Sequence, residues 1–203
     1  MGSNGEPIPH GPITVTAFGH TLDLPPGTGG GCISGPFQDY NVSLGPVALE
    51  PKGDMGGLAY NPRCLTRDLN PLWTNNTKPT NVVDLLSGCD DVGCFDGKME
   101  ALDGVHSGGH WGIGGLCLDA YASTGDPAFF LHHAQVDRMW TIWQNLNPEK
   151  RTHQVWGTET AFNDPPSANV TLDTMIDYKV LAPKQKLGTI GSTIEGPFCY
   201  MYI

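Results

Sequence analysis

Basic residues are scarce in this sequence: 11 Lys and Arg stand against 21 Asp and Glu among 203 residues, a formal net charge of −10 at pH 7. A surface of that sign repels nucleic acid and anionic lipid over most of its area, which argues against both as partners and leaves small neutral ligands open. No hydrophobic run approaches the length of a membrane span. The opening residues, Met1-Gly-Ser-Asn-Gly-Glu, have neither the basic nor the apolar region of a secretion signal. Internal repeats and charge runs are missing too. No cysteine pair has the CxxC spacing of a zinc knuckle, and no HExxH supplies the base of a zinc hydrolase.

What is present reads as one globular domain. At 39% hydrophobic the chain can bury a core, while 27 Gly and 17 Pro predict much irregular loop, because Gly loosens the backbone and Pro removes a donor. Six cysteines allow three disulfides, of which only Cys89–Cys94 can be read locally, across the tight loop CDDVGC. Sequons at Asn41, Asn75 and Asn169 point with the cysteines toward an oxidising secretory route and a glycoprotein. Since no secretion signal is visible, either the protein is cytosolic with free thiols or it is a secreted protein seen without its front end.

Residues 1–62 read as extended or looped, broken most clearly by PPGTGGG at 25–31, with a short alternating strand at 13–18. A helix is predicted over 80–87, capped by Thr80 and ended by Gly88. A second is predicted over 98–111, weakened by Gly104, Gly108 and Gly109 at about 1 kcal/mol each relative to Ala. Packing or a bound metal must hold it. The third is the clearest: Asp126 as N-cap, Pro127 at N1, then FFLHHAQVDRMWTIWQNL, closed by Pro148. Phe129, His133, Val136, Trp140 and Trp143 fall at helical spacing on one face of it.

His106 and His110, four apart, place two imidazoles one turn apart on a helix face, where they can share a metal. Alone that spacing is common without any metal. In the doublet His132-His133 the side chains diverge by about 100°, so one member at most faces the same ion. Taken together, HSGGHWGIGG followed by DPAFFLHHAQVDRMWTIWQ, residues 104–144, resembles the second copper motif of the tyrosinases, catechol oxidases and haemocyanins. GPFQDYNV (35–42) and the terminal GPFCYMY (196–202) are similar to flanking segments of the short fungal members.

The resemblance implies a mainly α fold with extensive loops and a few short strands, part of the four-helix-bundle core of type-3 copper proteins. It makes His106, His110 and His133 the ligands of one copper, with His132 behind them. It implies oxidation of small phenolic substrates, o-diphenols or o-aminophenols, to quinones by O2, because three neutral imidazoles leave a copper position open for oxygen. Ser107 stands where monophenol-hydroxylating members often carry Asn, so diphenol oxidation is expected over hydroxylation (monooxygenase activity). Asp119, Ala120 and Tyr121 lie where the family gates its substrate. Phe129, Phe130, Trp140 and Trp143 are expected to exclude water from the metal, and Asp137 to fix its helix by pairing with Arg138. The family needs a second three-histidine set, yet only His10, His20 and His153 remain. Residues 1–203 are therefore expected to be one incomplete domain, the second-copper half, inactive alone and partnered by an N-terminal half. A haemocyanin-like oxygen carrier and a non-catalytic copper-binding fragment are the competing expectations.

Overall fold

The structure is a computed structural model and describes residues 2–203. Six short strands come first: β1 (Gly5–Pro7), β2 (Ile13–Ala17), β3 (His20–Leu24), β4 (Gly30–Ile33), β5 (Asn41–Val42) and β6 (Arg63–Cys64). Helices follow as α1 (Pro71–Thr74), α2 (Pro79–Gly88), α3 (Val92–Met99), α4 (Val105–Ile113), α5 (Ala128–Asn145) and α6 (Pro148–Arg151), and the hairpin β7 (Met175–Ile176) with β8 (Gln185–Lys186) comes last. The chain divides into two compact units. One comprises residues 1–81 and 100–134, the other 82–99 and 135–203, and the division falls within α2 and within α5.

The first unit is loop held by paired strands. Antiparallel pairs join β1 to β4, β2 to β3 and β5 to β6. The apolar core among them is small: Ile33, Val42, Leu65 and Leu116, with Phe37 and Ala122 against it. A disulfide from Cys32 in β4 to Cys64 in β6 ties two of these strand pairs together. No local pattern marks that bond, since the two cysteines are 32 residues apart.

The second unit is built on aromatics. Trp143 is 0% exposed and packs on Phe95 at 4.9 Å between ring centroids, with Trp140 at 5.3 Å. Its indole N–H donates to the carbonyl of Cys89 at 2.8 Å, so the one polar atom of the ring is satisfied. Arg151 lies over the same ring, 4.7 Å from its centroid, and donates to the carbonyls of Trp143 and Cys89. The Cys89–Cys94 disulfide expected from the tight loop is formed. Cys117 and Cys199 remain as thiols, so two bridges form where six cysteines allowed three.

Two sequence expectations shift in detail and a third holds. The helix expected at 80–87 begins at Pro79, whose fixed φ suits a first turn, so Thr80 lies inside it and does not cap it. The helix expected over 98–111 is two elements: α3 ends at Met99, and α4 starts at Val105 after a turn closed by the Gly104 N–H on the Ala101 carbonyl. The third helix is as expected, with the Asp126 carboxylate accepting the Ala128 N–H at 2.8 Å.

Candidate metal centre

Nothing in α4 favours helix locally. Its N-cap, Gly104, offers no side chain, and Gly108, Gly109 and Gly112 each weaken it. Close approach explains the glycines. A Cβ on Gly108 would stand 2.7 Å from that of Asn76, and one on Gly112 would stand 2.6 Å from the Thr74 methyl. A Cβ on Gly109 would overlap the His132 ring. The helix is thus shaved on one side to admit α1 and the residues after it, and on the other to admit α5.

That approach brings four imidazoles together. His110 Nε2 lies 3.2 Å from His106 Nε2 and 3.0 Å from His133 Nε2. Nitrogens bound to one metal at about 2.0 Å stand roughly 3.3 Å apart, so the spacing suits a shared ion. The outer nitrogens are tied down. His110 Nδ1 donates to the Cys117 carbonyl at 2.9 Å, and His106 Nδ1 to the Glu100 carboxylate at 2.8 Å. Each bond fixes the tautomer that leaves an Nε2 lone pair facing inward, the usual arrangement behind a metal-binding histidine.

Burial favours the neutral form of His110, His132 and His133. His110 is pushed down to about 4, chiefly by desolvation and then by the neighbouring imidazoles His106 and His133, against the Cys117 carbonyl, which favours the cation. His133 is lowered by burial and by His106. His132 falls to about 3 through burial, then His110 and His106. A metal would therefore meet His110 and His133 as neutral donors at neutral pH.

His132 competes with His133 for the third place. His106, His110 and His132 present one nitrogen each within 4.8 Å of one another. The His132 Nε2–H, however, donates to the His106 carbonyl at 2.9 Å, and its nitrogen-bearing edge lies against Gly109. Its ring stacks on His106 at 5.5 Å and 10°. That is a wedge between helices. His133 presents its Nε2 to His110 and is backed by Phe129, stacked at 4.0 Å.

The other residues singled out from the sequence fall as follows. Ser107 is half-buried beside His106 on α4. Asp119 is 0% exposed, and its carboxylate accepts the backbone N–H groups of Val47, Ala48, Tyr121 and Ala122. It braces the loop and has no oxygen edge left for a substrate. Ala120 and Tyr121 are exposed, with the Tyr121 hydroxyl accepting the Phe18 N–H. Asp137 takes the hydroxyls of Tyr200 and Tyr202 where Arg138 was expected, because the terminal aromatic stretch returns to α5. Of the four aromatics expected around the metal, Phe129 adjoins the histidines, Phe130 is 60% exposed, and Trp140 and Trp143 pack on Phe95. His10 bonds Asp68 and the Ile8 carbonyl, and His20 and His153 are exposed. Sequence reasoning missed Glu100, six residues before His106 with no motif to mark it, and the Cys117 carbonyl, which no sequence pattern reveals.

Comparison with known proteins accounts for this constellation. Residues 1–146 match the family model described as the common central domain of tyrosinase. "Tyrosinase P" of Aspergillus terreus is 36% identical over 195 residues, covering 91% of this chain and 55% of that protein. "Tyrosinase-like protein orsC" of Emericella nidulans is 41% identical over 167 residues, covering 77% of this chain and 43% of that protein. Among solved structures, a polyphenol oxidase variant from Thermothelomyces thermophila superposes with a TM-score of 0.87 at 40% identity, over 100% of this chain and 59% of that one. The chain spans about half the length of the curated relatives it matches. The family implies copper, which suits a cluster of imidazoles. This chain belongs to the tyrosinase family.

Proposed function

We propose that this chain is the second-copper half of an oxidoreductase of the tyrosinase and catechol oxidase type, with His106, His110 and His133 holding one copper ion. The approach of both His106 Nε2 and His133 Nε2 to His110 Nε2, at 3.2 and 3.0 Å, carries the reading. Copper bound there would accept electrons from a phenolic substrate and pass them to O2. In the complete protein two o-diphenols each lose two electrons and two protons, and one O2 becomes two waters. The chain's own residues prepare for this. Glu100 and the Cys117 carbonyl hold His106 and His110 in the ligating tautomer, and Phe129 covers one face of His133. Ser107 in place of Asn favours diphenols and aminophenols over monophenols.

A second copper needs three more histidines, and His10, His20 and His153 are outside the cluster. In this reading they come from sequence beyond these 203 residues, and the isolated chain turns over o-diphenols little or not at all. Metal analysis tests the ligand set directly. One copper per chain should be lost on His133→Ala and kept on His132→Ala; the reverse pattern would move the ligand to His132. Measurable o-diphenol oxidation by the copper-loaded 203-residue chain would sink the half-site reading.

Two disulfides and three exposed sequon asparagines, Asn41, Asn75 and Asn169, support a secretory route and N-glycosylation. Among the described residues no helix is long and apolar enough to cross a membrane. Expression through a eukaryotic secretory pathway, followed by peptide-N-glycosidase and mass measurement, should show glycan release. An unchanged mass would refute the glycoprotein expectation.

A further inference from the structure

We infer that Arg67 is a positioning residue for the metal centre, holding α5 against α4 so that His133 meets His106 and His110; the inference rests on the three-histidine reading above. Its basis is the short stretch 66–70, which is bonded to the end of one histidine helix and the start of the other. On the α4 side the bonds are backbone. The Asp68 N–H donates to the Ile113 carbonyl at 3.0 Å and the Asn70 N–H to the Gly112 carbonyl at 2.9 Å, both among the last carbonyls of α4, which have no partner inside the helix. The Leu116 N–H donates to the Thr66 carbonyl at 3.3 Å just beyond. The approach is as close as a backbone allows: Gly114 has φ +66, and a Cβ there would overlap the Asp68 carbonyl.

On the α5 side the bond is a side-chain fork. Arg67 Nε and Nη2 donate to the two carboxylate oxygens of Asp126 at 2.8 and 2.7 Å, with side chains 5% and 0% exposed. The same carboxylate caps α5 through the Ala128 N–H. Fork geometry fixes orientation as well as distance, which a point charge such as Lys cannot do. His133 sits five residues beyond Ala128, about 7.5 Å along the helix, so a tilt at the cap is carried to its imidazole. His110 lies three residues before Ile113. Residues 66–70 thus set one end of the His110–His133 separation from each side.

The Arg67→Met variant of the full 203-residue chain tests this, with Co(II) as the probe because its visible spectrum reports coordination geometry. Co(II) affinity should fall about 10-fold or more, as for other groups that orient metal ligands, and the band pattern should change. Arg67→Lys should recover part of the affinity and little of the band pattern. Arg151→Met serves as the control, a buried arginine of the other unit that donates to Trp143 and Cys89. It should lower the melting temperature and leave the Co(II) spectrum as in the parent. If Arg67→Met binds Co(II) within twofold of the parent with the same spectrum, the positioning role is overturned. Should Arg67→Met not fold, a Lys variant matching the parent in affinity and spectrum overturns it equally. A parent chain that binds no Co(II) overturns the three-histidine reading itself, and Arg67's role with it.

Discussion

The two units solve the same problem with opposite materials. In the unit of residues 82–99 and 135–203, one large side chain does most of the holding: Trp143, fully buried between Phe95, Trp140 and Arg151. In the unit that carries the histidines, the aliphatic core is small, and three buried carboxylates hold loops and helix ends. Asp68 accepts the N–H groups of Gly27 and Gly29 and the His10 ring, Asp119 accepts four backbone N–H groups, and Asp126 accepts Arg67 and the Ala128 N–H. A buried carboxylate is costly unless its lone pairs are filled, and here they are. Apolar packing tolerates small slippage, whereas a carboxylate with several fixed donors does not. That rigidity suits a site whose nitrogen atoms must meet near 3 Å.

The comparison predicts different failure modes. Trp143→Ala should be the most damaging change in the aromatic unit, costing about 3–5 kcal/mol through the cavity it leaves. Trp143→Phe should cost clearly less in a denaturant melt, and an equal loss for both would show that the indole bond to Cys89 outweighs packing. In the histidine unit Asp119→Ala should cost about 3 kcal/mol by stranding backbone donors, and Asp119→Asn should recover only part, because an amide has one acceptor oxygen. If Asp119→Ala melts like the parent, the carboxylate brace is not what holds that loop.

The His10–Asp68 pair gives a smaller, pH-dependent contribution. Hydrogen bonds to Ile8 and Asp68 raise His10 above its ordinary 6.5. Asp68 is held below its ordinary 3.8 by the Gly29 and Gly27 N–H groups and by His10, against the burial that opposes it. A raised histidine contributes stability that is complete below 6.5 and lost as pH rises through its folded value. A lowered carboxylate contributes stability present above 3.8 and lost as pH falls through its folded value. The parent should therefore exceed His10→Gln by at most about 1 kcal/mol, mainly between pH 4 and 6.5. A difference that is flat from pH 4 to 9 would show that the ion pair contributes nothing. Smallest of all, Val180→Ser should shift stability by less than about 0.5 kcal/mol, since that side chain is 97% exposed.

Several features were open to reading because they are local. The start of α5 needs only Asp126 and Pro127, the small disulfide needs only four intervening residues, and the histidines that meet in the cluster carry a spacing that helix geometry converts into a shared face. Others were closed because their cause lies far along the chain. The glycines of α4 look like helix breakers until Asn76, Thr74 and His132 are seen where Cβ atoms would be. Asp119 looks like an exposed loop acid beside a substrate until Val47 and Ala48, more than seventy residues earlier, fill its oxygens. Trp140 and Trp143 share a helical face with His133, but periodicity does not say what that face meets at each turn, and there it meets Phe95.

By itself the sequence determined the kind of site: imidazoles at helical spacing, an acidic surface, and the motif that places the chain in its family. Those follow from residue type and from the fixed rise and rotation of a helix. Only the tertiary structure decided which nitrogen of each histidine faces inward, that His132 is wedged against Gly109, and that residues 66–70 join the two histidine helices. Each of these depends on partners brought together by folding, and hydrogen-bond direction and burial are properties of those partners rather than of any one residue.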